Sequence, residues 1–123
     1  MLVKALRNGL GMIIVGVDWL TRPKAIVRTP EKQAQAQTVV NGLSLYQLHA
    51  CPFCVKTRRA IHQLNVDIEL RDIGKNTNYR QELEALGGRV MVPCLRIDEA
   101  DGVRWLYESN DIISYLKQQL AAY

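Results

Sequence analysis

The sequence holds little of several things that a chain of 123 residues could carry: three cysteines, two histidines, four prolines and one phenylalanine. An odd, sparse set of cysteines excludes a secreted scaffold stapled by disulfides. Few prolines and eight glycines leave no collagen-like or low-complexity bias. Disordered chains are short of apolar residues, and at 48% hydrophobic this one is not. The length suits one domain, at roughly 100–200 residues each, and excludes a dinucleotide-binding fold with a separate substrate domain. Surplus charge is confined. Of the net +4, six bases against two acids lie in residues 1–40, and the ten bases and ten acids of residues 41–123 cancel. Nucleic-acid binding needs a basic face on the fold itself, so no nucleic-acid partner is expected.

A long uninterrupted apolar run is also lacking. Leu2, Leu6, Leu10, Ile13, Val17 and Leu20 recur at spacings of three and four, the pattern of one helix face. The Asp18-Trp19 boundary does not suit a signal-peptide cleavage site. A spanning helix needs about 20 apolar residues, and this segment carries Lys4, Arg7 and Asp18. A helix lying in a membrane interface fits better, with flanking cations and Trp19 at the boundary. Docking of the helix on its own domain or on a second copy is the alternative. Residues 29–41, with Pro30 and a Gln/Ala alternation, read as a polar linker or frayed helix. The organisation expected is therefore residues 1–40 as helix and linker, and residues 41–123 as the domain.

Within the domain, strands are expected at 43–48, 66–70, 92–97 and 103–107, and helices at 52–64, 78–86 and 111–120. Gly87-Gly88 stops the second of these helices. Asp101-Gly102 turns the chain between the last two strands, and Ser109 or Asn110 can cap the last helix. The order β-α-β-α-β-β-α begins with a right-handed parallel βαβ unit and ends in a hairpin. It predicts an α/β fold with a mixed four-stranded sheet.

Chemistry concentrates at His49-Ala50-Cys51-Pro52-Phe53-Cys54, where a strand gives way to a helix. Residues i and i+3 share a helix face, so the two sulfurs can meet. Cys51 falls where free backbone N–H groups and the positive end of the helix converge. That setting stabilises a thiolate and lowers its pKa from about 8.5. A thiolate is the attacking species in thiol–disulfide exchange, and Cys54, one turn deeper, can resolve the mixed disulfide. Lys56, Arg58 and Arg59 add positive field, although a solvated helix face explains at least one of the arginines. Structural zinc needs four ligands; His49, His62 and Cys94 do not complete such a set with this pair, and no metal is expected. Cys94 follows Pro93 and reads as a buried small apolar residue.

Three landmarks together resemble the glutaredoxins of the thioredoxin-fold superfamily, and also the N-terminal domain of glutathione transferases. They are the Cys51-Pro52-Phe53-Cys54 pair, Val92-Pro93 opening the third strand, and Tyr107-Glu108-Ser109-Asn110-Asp111 before the last helix. The match spans residues 42–120 and leaves the N-terminal arm aside. The resemblance implies a thioredoxin-like fold and a glutathione-dependent thiol–disulfide oxidoreductase. Its substrates would be protein disulfides or glutathionylated proteins, and its compartment the cytoplasm, at the face of a membrane if residues 2–20 bind lipid. Pro93 would be cis, with the Val92 backbone pairing with the glutathione cysteine. Ser109 and Asn110 would receive the γ-glutamyl carboxylate, Glu108 the ammonium and Arg80 the glycine carboxylate.

The chain departs from the family in three places. Met91 stands where threonine is usual, Tyr107-Glu108 replaces a double glycine, and a lysine often found shortly before the first cysteine is missing, with His49 near its place. Two other functions use the same residues. One is an oxidoreductase reduced by a protein partner. The other is an iron–sulfur carrier, in which two chains and two glutathiones supply thiolate ligands; an available resolving cysteine argues against it.

Overall fold

In the computed structural model the chain runs α1 (Leu2–Thr21), α2 (Pro30–Val40), β1 (Leu43–Gln47), α3 (Pro52–Leu64), β2 (Glu69–Asp72), α4 (Thr77–Glu82), β3 (Cys94–Glu99), β4 (Gly102–Leu106) and α5 (Ser109–Gln119). Residues 2–21 and 24–123 are described, with backbone alone at 2–8, 18, 19 and 21. The strands form one sheet in the order β2-β1-β3-β4. β1 pairs with β2 in parallel, and the other two pairings are antiparallel. This is the expected mixed sheet and thioredoxin-like fold.

Alternation along β1 divides the interior in two. Leu43 and Leu45 join Leu95 and Ile97 under α2, α3 and α5, with Ile61, Ile112 and Leu116. Tyr46 turns to the other face, among Ile73, Leu83 and Cys94. Full burial of an aliphatic side chain of this size contributes about 1.5–3 kcal/mol, so the larger cluster supplies most of the apolar stabilisation.

Several boundaries differ from the expectation. β2 begins at Glu69 rather than 66, because Val66 and Ile68 are buried in the approach to the strand instead of along its ladder. The helix expected at 78–86 is α4 followed by a π-helical turn, Leu83–Gly87, closed by Gly88 at φ 95°. A left-handed φ costs glycine little. α5 starts at Ser109, with Glu108 in the capping position and no side-chain cap. Ser109 is buried, and Asn110 instead accepts a hydrogen bond from Lys56 Nζ at 2.6 Å. Neither residue caps the helix as expected.

Residues 30–40, read from sequence as a linker or frayed helix, form α2 and carry two core residues, Ala36 and Val40. Gln33 Nε2 donates to Asn65 O at 2.6 Å, and the Gln37 amide exchanges two 2.9 Å bonds with the Asp67 backbone. A buried Ala/Val pair and two clamping amides at helical spacing satisfy the turn between α3 and β2. Arg28 extends the attachment through a 2.6 Å bond to Leu64 O.

α1 packs on α3. Gly11 is buried against Ala50, and a Cβ at Gly11 would lie 2.5 Å from the Ala50 carbonyl oxygen. Only a residue without a side chain permits that approach. The helix thus docks by its Gly11 side, while Leu10, Ile13, Val17 and Leu20 from the apolar stripe stay exposed. The side chains of Leu2, Lys4, Leu6, Arg7, Asp18, Trp19 and Arg22 lie outside the described residues. No helix among the described residues is long and apolar enough to cross a membrane.

Candidate active site

Sheet topology gathers the expected site at one edge. The C-terminal ends of β1 and β2 lie side by side, Gln47 opposite Asp72. The start of β3 and the end of β4 complete the edge, through the pairs Tyr46–Cys94 and Leu95–Leu106. The Cys51 loop, Val92-Pro93 and the Glu108-Ser109-Asn110 segment all leave the sheet there. The Val92–Pro93 peptide bond is cis. Arg80 stands exposed on α4, which also departs from this edge.

Cys51 is the N-cap residue of α3, with Pro52 in the first helical position. Proline suits that place because its missing N–H would have had no helical partner. The loop before it is tied by a bond from Cys51 N–H to Leu48 O at 3.3 Å. Cys51 is half-buried, Cys54 is fully buried, and both are free thiols.

The hydrogen bond from the Cys54 thiol is the main influence lowering the Cys51 pKa, and burial opposes it. The N–H groups of Cys54 and Phe53 face the sulfur without completing a short capping bond, and the Arg58 guanidinium adds positive field. The Cys51 thiol is held down to about 6, against an ordinary 9.0. Cys54 moves the opposite way, because it donates to Cys51 and is buried. Its sulfur accepts the Leu48 N–H at 3.4 Å, a partial compensation. The pair is thus split into an ionised outer sulfur and a protonated inner one, a division of roles suited to attack and resolution.

Cys94 is fully buried, and burial pushes its thiol up to about 12. It sits with Tyr107, whose hydroxyl donates to Arg89 O at 3.1 Å. This agrees with the reading of Cys94 as a packing residue. Phe53, Met91 and Leu48 expose apolar surface. Phe53 is 62% exposed. His49 is exposed and lends its carbonyl oxygen to Arg58 at 2.6 Å. Among the described residues, no group of three or more His, Cys, Asp or Glu side chains is placed to hold a metal ion.

Two contributors carry no distinguishing sequence signal. Lys56, bonded to Asn110, links the second turn of α3 to the start of α5. Arg58, which sequence does not separate from Arg59, reaches back to the end of β1.

Residues 43–100 match the family model of the glutaredoxins. The fold is similar to a crystal structure of wheat glutaredoxin, with a TM-score of 0.52 and 20% identity, over 78% of this chain and 96% of that one. No curated protein matches the chain.

Proposed function

We propose that this chain, which matches the glutaredoxin family model over residues 43–100 and shares the fold of a glutaredoxin, is a thiol–disulfide oxidoreductase that carries out glutathione-dependent reduction of protein disulfides and glutathione mixed disulfides, with Cys51 as nucleophile and Cys54 as resolving thiol. The observation that carries this reading is the polarised pair, Cys51 held down to about 6 by the Cys54 thiol while Cys54 stays protonated.

With a glutathionylated protein, the Cys51 thiolate attacks the glutathione sulfur. The protein thiolate leaves, and a Cys51–glutathione disulfide forms. A second glutathione thiolate attacks the glutathione sulfur of that disulfide, releasing glutathione disulfide and regenerating the Cys51 thiolate. With a protein disulfide, Cys51 displaces one substrate sulfur. The Cys54 proton passes to the substrate thiolate just released, Cys54 attacks Cys51, and the second substrate thiolate leaves. Two glutathiones reduce the resulting Cys51–Cys54 disulfide and depart as glutathione disulfide. Each cycle moves two electrons, and an accessible thiolate suffices without a general base.

The glutathione contacts follow from the family resemblance. The Val92 backbone, held beside the cis Pro93, pairs with the tripeptide's cysteine. The uncapped start of α5 at Ser109 and Asn110 receives the γ-glutamyl carboxylate, as free helix N–H groups do for anions. Lys56 stands beside Asn110 to add charge. Glu108 takes the ammonium and Arg80 the glycine carboxylate. This chemistry belongs in a reducing compartment, the cytoplasm.

The test is glutathione-coupled reduction of a small mixed disulfide by wild type, Cys51→Ser and Cys54→Ser. Wild type and Cys54→Ser are expected to turn over and Cys51→Ser to be inactive. A wild type that glutathione cannot drive would overturn the reductant.

The exposed Leu10, Ile13, Val17 and Leu20 favour a second property, peripheral contact of α1 with a membrane surface. Full-length protein is expected to pellet with anionic vesicles, and protein lacking residues 1–22 to stay in the supernatant. Equal pelleting of the two would refute the contact.

A further inference from the structure

Arg58 lies on α3 one turn beyond Cys54, and its guanidinium is directed back at the segment leading to Cys51. It donates through Nη1 to Gln47 Oε1 and to Leu48 O at 3.3 Å, and through Nη2 to His49 O at 2.6 Å. The acceptors belong to three successive residues, the last of β1 and the first two of the loop. Gln47 is itself buried, at 4% exposure, so its amide needs a partner inside the protein.

The backbone of Leu48 is the hub of this arrangement. Its N–H donates to Cys54 Sγ at 3.4 Å, and its carbonyl accepts both the Cys51 N–H at 3.3 Å and Arg58. The two peptide planes that meet at Leu48 therefore touch both cysteines and the arginine. If the backbone turned at Leu48, the Cys54 sulfur would lose its backbone donor and the Cys51 loop its tie. A lysine ammonium is a point charge on a flexible stem, whereas a guanidinium is a rigid fork that can span several acceptors.

We propose that Arg58 is a positioning residue, whose fork fixes the Gln47-Leu48-His49 segment and thereby sets the relation of Cys51 to Cys54. The proposal rests on Cys51 being the nucleophile. After the Cys54 thiol and the helix N–H groups, the Arg58 charge is a further influence holding Cys51 down. Charge and positioning are separable effects, since lysine keeps the first and loses the second.

The experiment compares full-length wild type, Arg58→Lys, Arg58→Met and Cys51→Ser. It reads the pH profile of alkylation by neutral iodoacetamide, the kcat and KM of glutathione-coupled turnover, and the thermal midpoint. Arg58→Met is expected to raise the alkylation midpoint by about half a unit, a threefold loss of thiolate below it, and to lower kcat about tenfold. Arg58→Lys is expected to keep the midpoint near wild type while kcat stays several-fold low. Full recovery of kcat by Arg58→Lys would overturn positioning in favour of charge alone. A fall in thermal midpoint with unchanged kcat and pH profile would overturn it in favour of a structural brace. If Arg58→Met does not fold, the Arg58→Lys split between midpoint and kcat decides alone. Cys51→Ser is expected to lose the low-pH alkylation phase. Persistence of that phase would overturn the assignment of Cys51 itself, whatever the Arg58 variants show.

Discussion

At the scale of the residue, the two cysteines of the loop make stability depend on pH in opposite ways. Folded Cys51 gives up its proton near pH 6, whereas the unfolded thiol keeps it to about 9.0. Between those values the unfolded chain binds more protons, so the stability of the reduced protein rises with pH. That contribution is full above 9.0 and is lost as pH falls through 6. Folded Cys54 stays protonated above its ordinary 9.0, so beyond that pH the unfolded chain binds fewer protons and stability falls. Urea midpoints of the reduced protein are expected to climb from about pH 5 to about pH 8, and the climb is expected to vanish in Cys51→Ser. A flat profile in wild type would contradict the split pair. Cys94, pushed up to about 12 by burial, is expected to resist alkylation at neutral pH until the protein is denatured. Thiol counting by mass before and after denaturation checks this.

At the scale of the element, the face of the sheet opposite α3 depends on one polar cluster. The Tyr46 hydroxyl, on a fully buried side chain, bonds the Glu82 carboxylate, and Arg71 Nη1 donates to both the Tyr46 hydroxyl and the Glu82 carboxylate at 2.7 Å. Arg96 reaches the same two oxygens at 3.4 Å. This pins the end of α4 to β1, β2 and β3, just before Leu83 enters the core. Removing one partner leaves partly buried neighbours short of a bond, so Tyr46→Phe is expected to cost about 1 kcal/mol by urea denaturation. Little of this cluster was legible in the sequence, because its members stand far apart and obey no local spacing. The bounds of α3 were legible, from Pro52 at its start and the helical spacing of Val55, Ala60, Ile61 and Leu64, although Ala60 is only half-buried and the buried Thr57 carries no apolar signal. The edge of the sheet that carries the cysteines was legible too, since hairpin and βαβ patterns are local. β2 was displaced because Val66 and Ile68 alternate as a strand does while serving only as its buried approach. Arg58 and Arg59 look alike in sequence, and only the path of the loop after Gln47 separates their work.

At the scale of the whole molecule, the boundary of the folded unit follows from where the N-terminal segment becomes tied. The polar composition of residues 29–41 hid this, because Ala36 and Val40 are a short apolar signal and the two glutamines act through backbone groups far along the chain. Ile26 N–H donates to Gln63 O at 2.9 Å, and its carbonyl accepts from Asn65 Nδ2 at 3.0 Å. From there Arg28, Gln33 and Gln37 hold the turn after α3, and Ala36 and Val40 enter the same core as Leu45 and Ile112. α1 differs, since it meets the rest through α3 and the Gly11–Ala50 approach. Two truncations should therefore separate sharply. Loss of residues 1–22 is expected to leave the thermal midpoint within a few degrees of the full chain. Loss of residues 1–40 opens the core beneath Val40 and frees the Asp67 backbone, a cost of about 3 kcal/mol or more. In a domain of this size, that lowers the midpoint by more than about 10 °C. If both shortened chains melt together with the full one, α2 is an attachment rather than part of the fold. If the shorter loss already destabilises as much, the Gly11 contact carries more of the fold than its single close approach suggests, and Gly11→Val in the full chain would then reproduce the effect.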